Sequence, residues 1–209
     1  MTRRLASLVL FAALGASPAS AACPSAADDV LAQANGALAA YAAMDAVVYT
    51  KARDEALAAL ACVRDVISPI DAATLHRLMG LDAYLAQQRA RGVGAFRAAL
   101  AIQPAFRLSS SVAPEGHPLL EWYEAGREAG EGDARPLLAP SGATIYVDGA
   151  RATAVRPGQA AVLQLVSLDG AVRETAYVAA DGELPWWASA APAAAAEPVP
   201  APVAAAPAP

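Results

Sequence analysis

At 209 residues, 56% of them apolar and 17% charged, the chain is long enough to bury the core of one medium domain or two small ones. Its formal net charge of −5, with Lys51 as the single lysine, excludes the clustered basic surface that phosphate backbones and anionic membranes require, so nucleic acid is not expected as a partner. Much of the apolar fraction is alanine, which favours helix but supplies little buried area per residue.

Residues 1–21 read as a secretory signal peptide. Arg3 and Arg4 form a short basic segment, Leu5 to Leu14 is an apolar run too short to act as a membrane-spanning stop, and Ala19-Ser20-Ala21 supplies the small-residue cleavage pattern. Cleavage would leave 188 of the 209 residues. It would remove two of the 15 Lys and Arg but none of the 20 Asp and Glu, for a mature net charge of −7. The expected compartment is the periplasm or the exterior. Cys23 keeps a second assignment open, a lipid on the first cysteine after cleavage, which Ser20 disfavours because a large aliphatic is wanted at that position. No later segment is apolar and long enough to cross a bilayer, so no transmembrane helix is expected in the mature chain, while association with the envelope stays open.

A first helix is predicted from about Ala26 to Met44, opened by the cap-like Ser25-x-x-Asp28 and carrying Leu31, Ala34, Leu38 and Tyr41 on one stripe. Asp45 is placed to cap a second helix running to about Val66, with Leu57, Leu60, Val63 and Ile67 as its apolar positions. Two helices joined by so tight a turn pack antiparallel, which brings Cys23 and Cys62 to the same end. As the only two cysteines of an exported chain they are expected to form a disulfide, worth roughly 3 to 4 kcal/mol in the chain-entropy picture. Their spacing is unlike the C-x-x-C of redox-active pairs.

The third helix has the sharpest start signal: Ser68 as cap, Pro69 at the first helical position and Asp71 in the first turn, with an end near Ala86. The segment from about Ala73 to Pro104 resembles a tetratricopeptide repeat. Gly80 falls at the small position where the two helices of the unit cross, and Phe96, Ala99 and Pro104 match its second helix and terminator. It departs from the family at His76, Ala83 and Gly92, where a large aromatic, a tyrosine and an alanine are preferred. Pro69 and Pro104 stand close to the family period of about 34 residues apart. The resemblance implies stacked helical hairpins over residues 22–135, one recognisable repeat preceded by a degenerate one, with His117-Pro118 to about Ala129 as a capping helix. It also implies that the open face of the hairpins holds a protein or peptide partner.

After Arg135 the pattern changes from helix to strand. Ala143 to Val147 followed by Asp148-Gly149, then Ala161 to Val166, a turn at Asp169-Gly170 and a return strand Ala171 to Val178, predict a small antiparallel β-module over residues 136–185. The string Pro140-SGATIYVDG with Arg156-Pro157-Gly158 is similar to the PEGA modules of bacterial surface and envelope proteins; a generic hairpin add-on is the alternative. The module is expected to lean on the last helix, around Leu119, Leu120, Trp122 and Tyr123, because so few strands bury too little alone. Residues 186–209 are expected to be a disordered Ala/Pro-rich tail whose first two residues, Trp186-Trp187, stand just before the Ala/Pro run from Ala191 and either anchor a partner or pack on the module.

Catalytic patterns are thin. His76 on an amphipathic helix and His117 before a proline read as packing or capping residues, Gly92-Val93-Gly94 is a lone GxG inside a helical pattern, and no cofactor or metal motif is present. The sequence therefore predicts an α+β, exported, non-enzymatic binding scaffold of the bacterial envelope. Its alternatives are a structural component of an outer-membrane assembly docked through the β-module and, more remotely, a hydrolase using His117 and a nearby carboxylate.

Overall fold

The computed structural model describes residues 26–128, 130 and 132–189. Among these the chain is α+β: five helices come first and two small antiparallel sheets follow. The signal peptide, Cys23, Ser25 and the chain from residue 190 onward lie outside the described residues.

Helix α1 (Ala27–Ala42) begins where Asp29 Oδ2 accepts from the Ala26 N–H at 3.1 Å, so the carboxylate that serves this end is Asp29 rather than Asp28. Its buried stripe is Val30, Ala34, Ala37 and Ala40, rotated from the expected one. The cause is the alanine-lined seam with α2 (Ala46–Leu60), where Ala52 and Ala56 face these alanines and let the two backbones come close. Leu38 and Tyr41, too large for that seam, sit at its edge and reach the next core cluster. Between the helices Met44 takes a left-handed φ of 57°, and Asp45 caps α2 as expected, accepting from the Val48 N–H at 3.0 Å.

Helix α2 ends at Leu60, six residues short of the expected Val66, although Val63 and Ile67 are buried as the pattern required. The irregular segment is stable because its backbone groups find partners elsewhere. Gln164, which is 0% exposed, accepts from the Ile67 N–H at 2.9 Å and donates to the Asp65 carbonyl at 3.0 Å. A single amide side chain on a later strand thus replaces the helical bonds of this stretch, which no local pattern could announce.

Ser68 and Pro69 open α3 (Pro69–Leu85) as expected. Pro69 and Ile70 at its start are exposed, but every residue from Ala72 to Leu78 is buried, so past its first residues this helix has no solvent face over that stretch. Helix α4 (Arg89–Ile102) packs antiparallel on it, and the crossing lies at Gly80, where an added Cβ would overlap the Phe96 ring. Gly80→Leu is therefore expected to overpack the crossing and lower stability by about 1 to 3 kcal/mol, read from the urea midpoint at unchanged slope. The two glycines of α4 also admit neighbours. A Cβ at Gly92 would meet Trp122 Cε3 at 2.7 Å, and one at Gly94 would meet the Ala180 methyl. The GxG of the sequence is a packing device serving helix α5 on one side and the β-module on the other.

Helix α5 (Pro118–Ala125) is shorter than expected, because Gly126 lies so close to the α4 backbone, with its missing Cβ only 2.9 Å from the Arg97 nitrogen, that the chain turns away. Its Leu119, Trp122 and Tyr123 join Leu81, Phe96 and Leu100 in one cluster.

Strands β1 (Arg135–Pro136) and β4 (Ala154–Val155) pair as a short two-stranded ribbon. The main sheet has the order β3 (Ala150–Arg151), β2 (Ala143–Val147), β5 (Ala161–Ser167), β6 (Val172–Val178). Both turn signals are realised: Asp148 and Gly149 carry positive φ (51° and 82°) in the two-residue link of β2 to β3, and Gly170 (85°) closes the β5–β6 turn. Strand β5 is buried on both faces. Leu163 and Leu165 pack with Ile145, Val155, Val178 and Trp187 on one side, and Val162 enters the helical core on the other. A bulge beside Val166 shifts the β6 register, so Val172, not Glu174, is the buried end of that strand.

The expectation that the module leans on α5 is overturned. It docks on α3, α4 and the segment before α3, since Ala160 N–H donates to the Gly94 carbonyl at 3.1 Å and Arg97 Nη1 to the Gly158 carbonyl at 2.6 Å. The glycines of α4 leave that surface flat enough for a sheet, while the bulky residues of α5 are consumed by α3 and α4. The packed positions continue past residue 185, with Trp187 5% exposed and Ala188 0%, whereas Trp186 is 80% exposed.

Candidate functional site

Of the residues read as repeat-packing, Gly80 receives the Phe96 ring, Ala99 is buried on α4, and Pro104 follows the end of that helix. They build a frame and line no opening. Cys62 lies in the turn after α2 and is not a free thiol; Cys23 is outside the described residues. The Ala27 N–H donates to Asp65 Oδ2 at 3.4 Å, which places the start of α1 beside the segment that follows Cys62.

The constellation that looks most like catalytic machinery is His76, Asp148 and Tyr177. His76 Nδ1 stands 3.2 Å from the Tyr177 hydroxyl and Nε2 2.9 Å from Asp148 Oδ1, which also accepts from the Val162 N–H at 2.7 Å. With the proton on Nε2, the phenol donates to Nδ1 and every partner is satisfied. His76 is 0% exposed, and burial, followed by the Asp148 charge, raises the Tyr177 phenol well above its ordinary value, so the phenol is no nucleophile. The group works as a latch between α3 and both hairpins of the sheet. His76→Ala is expected to destabilise by about 1 to 3 kcal/mol in thermal unfolding, because it leaves the Tyr177 hydroxyl without its acceptor and takes one of two donors from the Asp148 carboxylate. The sequence reading of His76 as a packing residue missed this network, whose members are far apart in the chain. His117 is a cap, its Nδ1 accepting from the Leu119 N–H at 3.2 Å.

The opening with binding dimensions lies elsewhere, at the turn ends of the two helical hairpins. It is a cleft of about 890 Å³ bounded by the α1–α2 turn, α2, the end of α3 and the loop before α5. Met44 and Leu85 are exposed apolar side chains on its rim. Inside, Tyr49 is only 4% exposed, and among the described residues its hydroxyl makes no hydrogen bond of ordinary geometry, although the Asp82 carboxylate is close enough to act on it. Burial, and then the nearby Asp82 carboxylate, push that phenol above its ordinary range and keep it protonated. Arg53 donates from Nη1 to Asp82 at 2.5 Å and from Nε and Nη2 to Asp54. Tyr41 stands edge to face with Tyr49, ring centroids 6.0 Å apart.

Of the residues lining the cleft, His117 was named from the sequence as the base of the remote hydrolase reading, whereas Tyr49, Arg53 and Asp82 were not singled out as a site. Tyr41 was assigned to a core stripe, and Tyr49 and Arg53 point the same way only because Asp45 starts a new helix whose fourth and eighth residues share a face. The face of α3 that a stacked-repeat reading leaves open is covered here by the β-module. What stays open is the turn end.

Among the described residues no group of three or more His, Cys, Asp or Glu is placed to hold a metal ion, and no helix is long and apolar enough to cross a membrane. The fold and site define an α+β protein of helical hairpins carrying a docked antiparallel sheet. Comparison with known proteins gives no match, whether to a protein-family model, to a curated protein or to a solved structure.

Proposed function

We propose that the protein is a non-enzymatic exported scaffold of the bacterial cell envelope, which holds a protein or peptide segment in the cleft at the turn ends of its helical hairpins. The observation that supports this reading is the cleft itself. An apolar rim surrounds a floor on which a buried hydroxyl lacks a partner, an arrangement whose polar need is met when a ligand arrives. The tetratricopeptide resemblance of Gly80, Phe96, Ala99 and Pro104 agrees with a scaffold built from hairpins, and the leader-like residues 1–21 with export.

A displayed library of random heptapeptides, selected on the mature chain, tests it. Enrichment is expected on the wild type and is expected to vanish on Ala46→Trp, which fills the cleft mouth without changing charge. Equal enrichment on both would remove the cleft from the function.

A second reading, docking of the β-module to a larger envelope assembly, is favoured by one observation. Trp186 and Leu138 are exposed apolar side chains on two segments tied together by the bond from Leu138 N–H to the Ala188 carbonyl at 3.2 Å. Trp186→Ser distinguishes it, since it should then abolish assembly while leaving the heptapeptide selection unchanged.

A further inference from the structure

We propose that the segment held in the cleft carries an arginine flanked by apolar residues, its guanidinium seated between Asp82 and the Tyr41–Tyr49 pair. This rests on the scaffold reading above and adds the chemistry of the occupant. The charge of the lining is the first argument. In the lining Asp45 and Asp82 stand against Arg53, which is already bound to Asp82 and Asp54, and His117, whose Nδ1 is occupied by the Leu119 N–H. Lys51, the only lysine, is not part of the lining and lies 3.8 Å from Glu55. An acidic segment or a terminal carboxylate would therefore meet two carboxylates and find no free cation.

The second argument is Tyr49. Its buried hydroxyl, which makes no hydrogen bond among the described residues, can accept from a guanidinium N–H, and the half-buried Tyr41 ring beside it offers an aromatic face to a cation. Arginine suits this better than lysine, because a planar fork can stack on a tyrosine ring while donating to a carboxylate in the same plane. The third is the rim. Met44 and Leu85 with Ala86 and Pro114 offer apolar contact on both sides of the polar floor, so the flanking residues are apolar.

The test uses the heptapeptides selected on the mature chain and titration calorimetry of the strongest one. Arginine should be enriched over aspartate and glutamate. Replacing that arginine by citrulline, its uncharged isostere, is expected to weaken binding about tenfold. Asp82→Asn should erase the difference between the two peptides. Tyr49→Phe, which removes only an unpartnered hydroxyl and should leave the fold as stable as before, is expected to reduce it about threefold, and decides the matter if Asp82→Asn does not fold. Equal affinity of the arginine and citrulline peptides, or enrichment of acidic peptides, overturns the proposal while Ala46→Trp sensitivity leaves the scaffold reading standing. A selection that enriches nothing overturns both.

Discussion

Expressed without the helices, residues 133–189 are expected to be largely unfolded, with a disordered far-UV circular dichroism spectrum and no cooperative thermal transition. One face of the sheet has its own cluster, centred on Leu163, Leu165, Ile145 and Trp187. The other face is completed only by the helices. Val162 belongs to their core, Gln164 spends its amide on the Asp65 carbonyl and Ile67 N–H, and Asp148 and Tyr177 meet His76. Removing the helices exposes that face to water and leaves a short sheet to offset a backbone ordering cost of about 1 to 2 kcal/mol per residue. In the intact chain the amides of Val162 and Gln164 should be protected from exchange at the level of global unfolding. Trp122→Ala, on a helix that does not hold the module, should leave that protection in place relative to the rest of the protein. A cooperative transition in the isolated fragment would show that the module is self-sufficient, as its PEGA-like string suggests.

The second large effect concerns the cysteines. We expect the oxidised mature protein to contain no free thiol, and Cys62→Ser to lower its stability by about 4 kcal/mol, since a bond from Cys23 to Cys62 closes a long loop around the α1–α2 hairpin. For a chain of this length that is a melting temperature lower by roughly 10 °C. The contact between the Ala27 N–H and Asp65 puts the start of α1 near the segment after Cys62, as the bond requires. Two reactive thiols in the unfolded, unreduced protein would contradict the bond. A diacylglycerol mass on Cys23 would replace it with a lipid anchor.

The legible part of the fold was the part with local causes. Asp45, Ser68 and Pro69 fixed helix starts through capping and φ preference, and Asp148-Gly149 and Asp169-Gly170 fixed turns through positive φ. Gly80 and Phe96 were readable as a crossing because their spacing follows from one hairpin. The end of α2 was not, since Gln164 holds it from far along the chain. The docking surface was hidden for a related reason: a flat helix face made by Gly94, Ala95 and Ala98 looks in sequence like weak helix, whereas the aromatic residues of α5 look like an interface. The cleft was least legible of all. It is formed by Tyr41, Tyr49, Asp82 and a loop around Ser111, and no periodicity links four separate elements.

The claim that most needs testing is where a partner binds. Titration calorimetry of the selected arginine heptapeptide into the mature chain, its Ala46→Trp variant and its Trp186→Ser variant addresses it directly. Saturable one-site binding is expected for the wild type and for Trp186→Ser, with none for Ala46→Trp. Binding that survives Ala46→Trp and disappears with Trp186→Ser would contradict the account and move the partner to the β-module at Trp186.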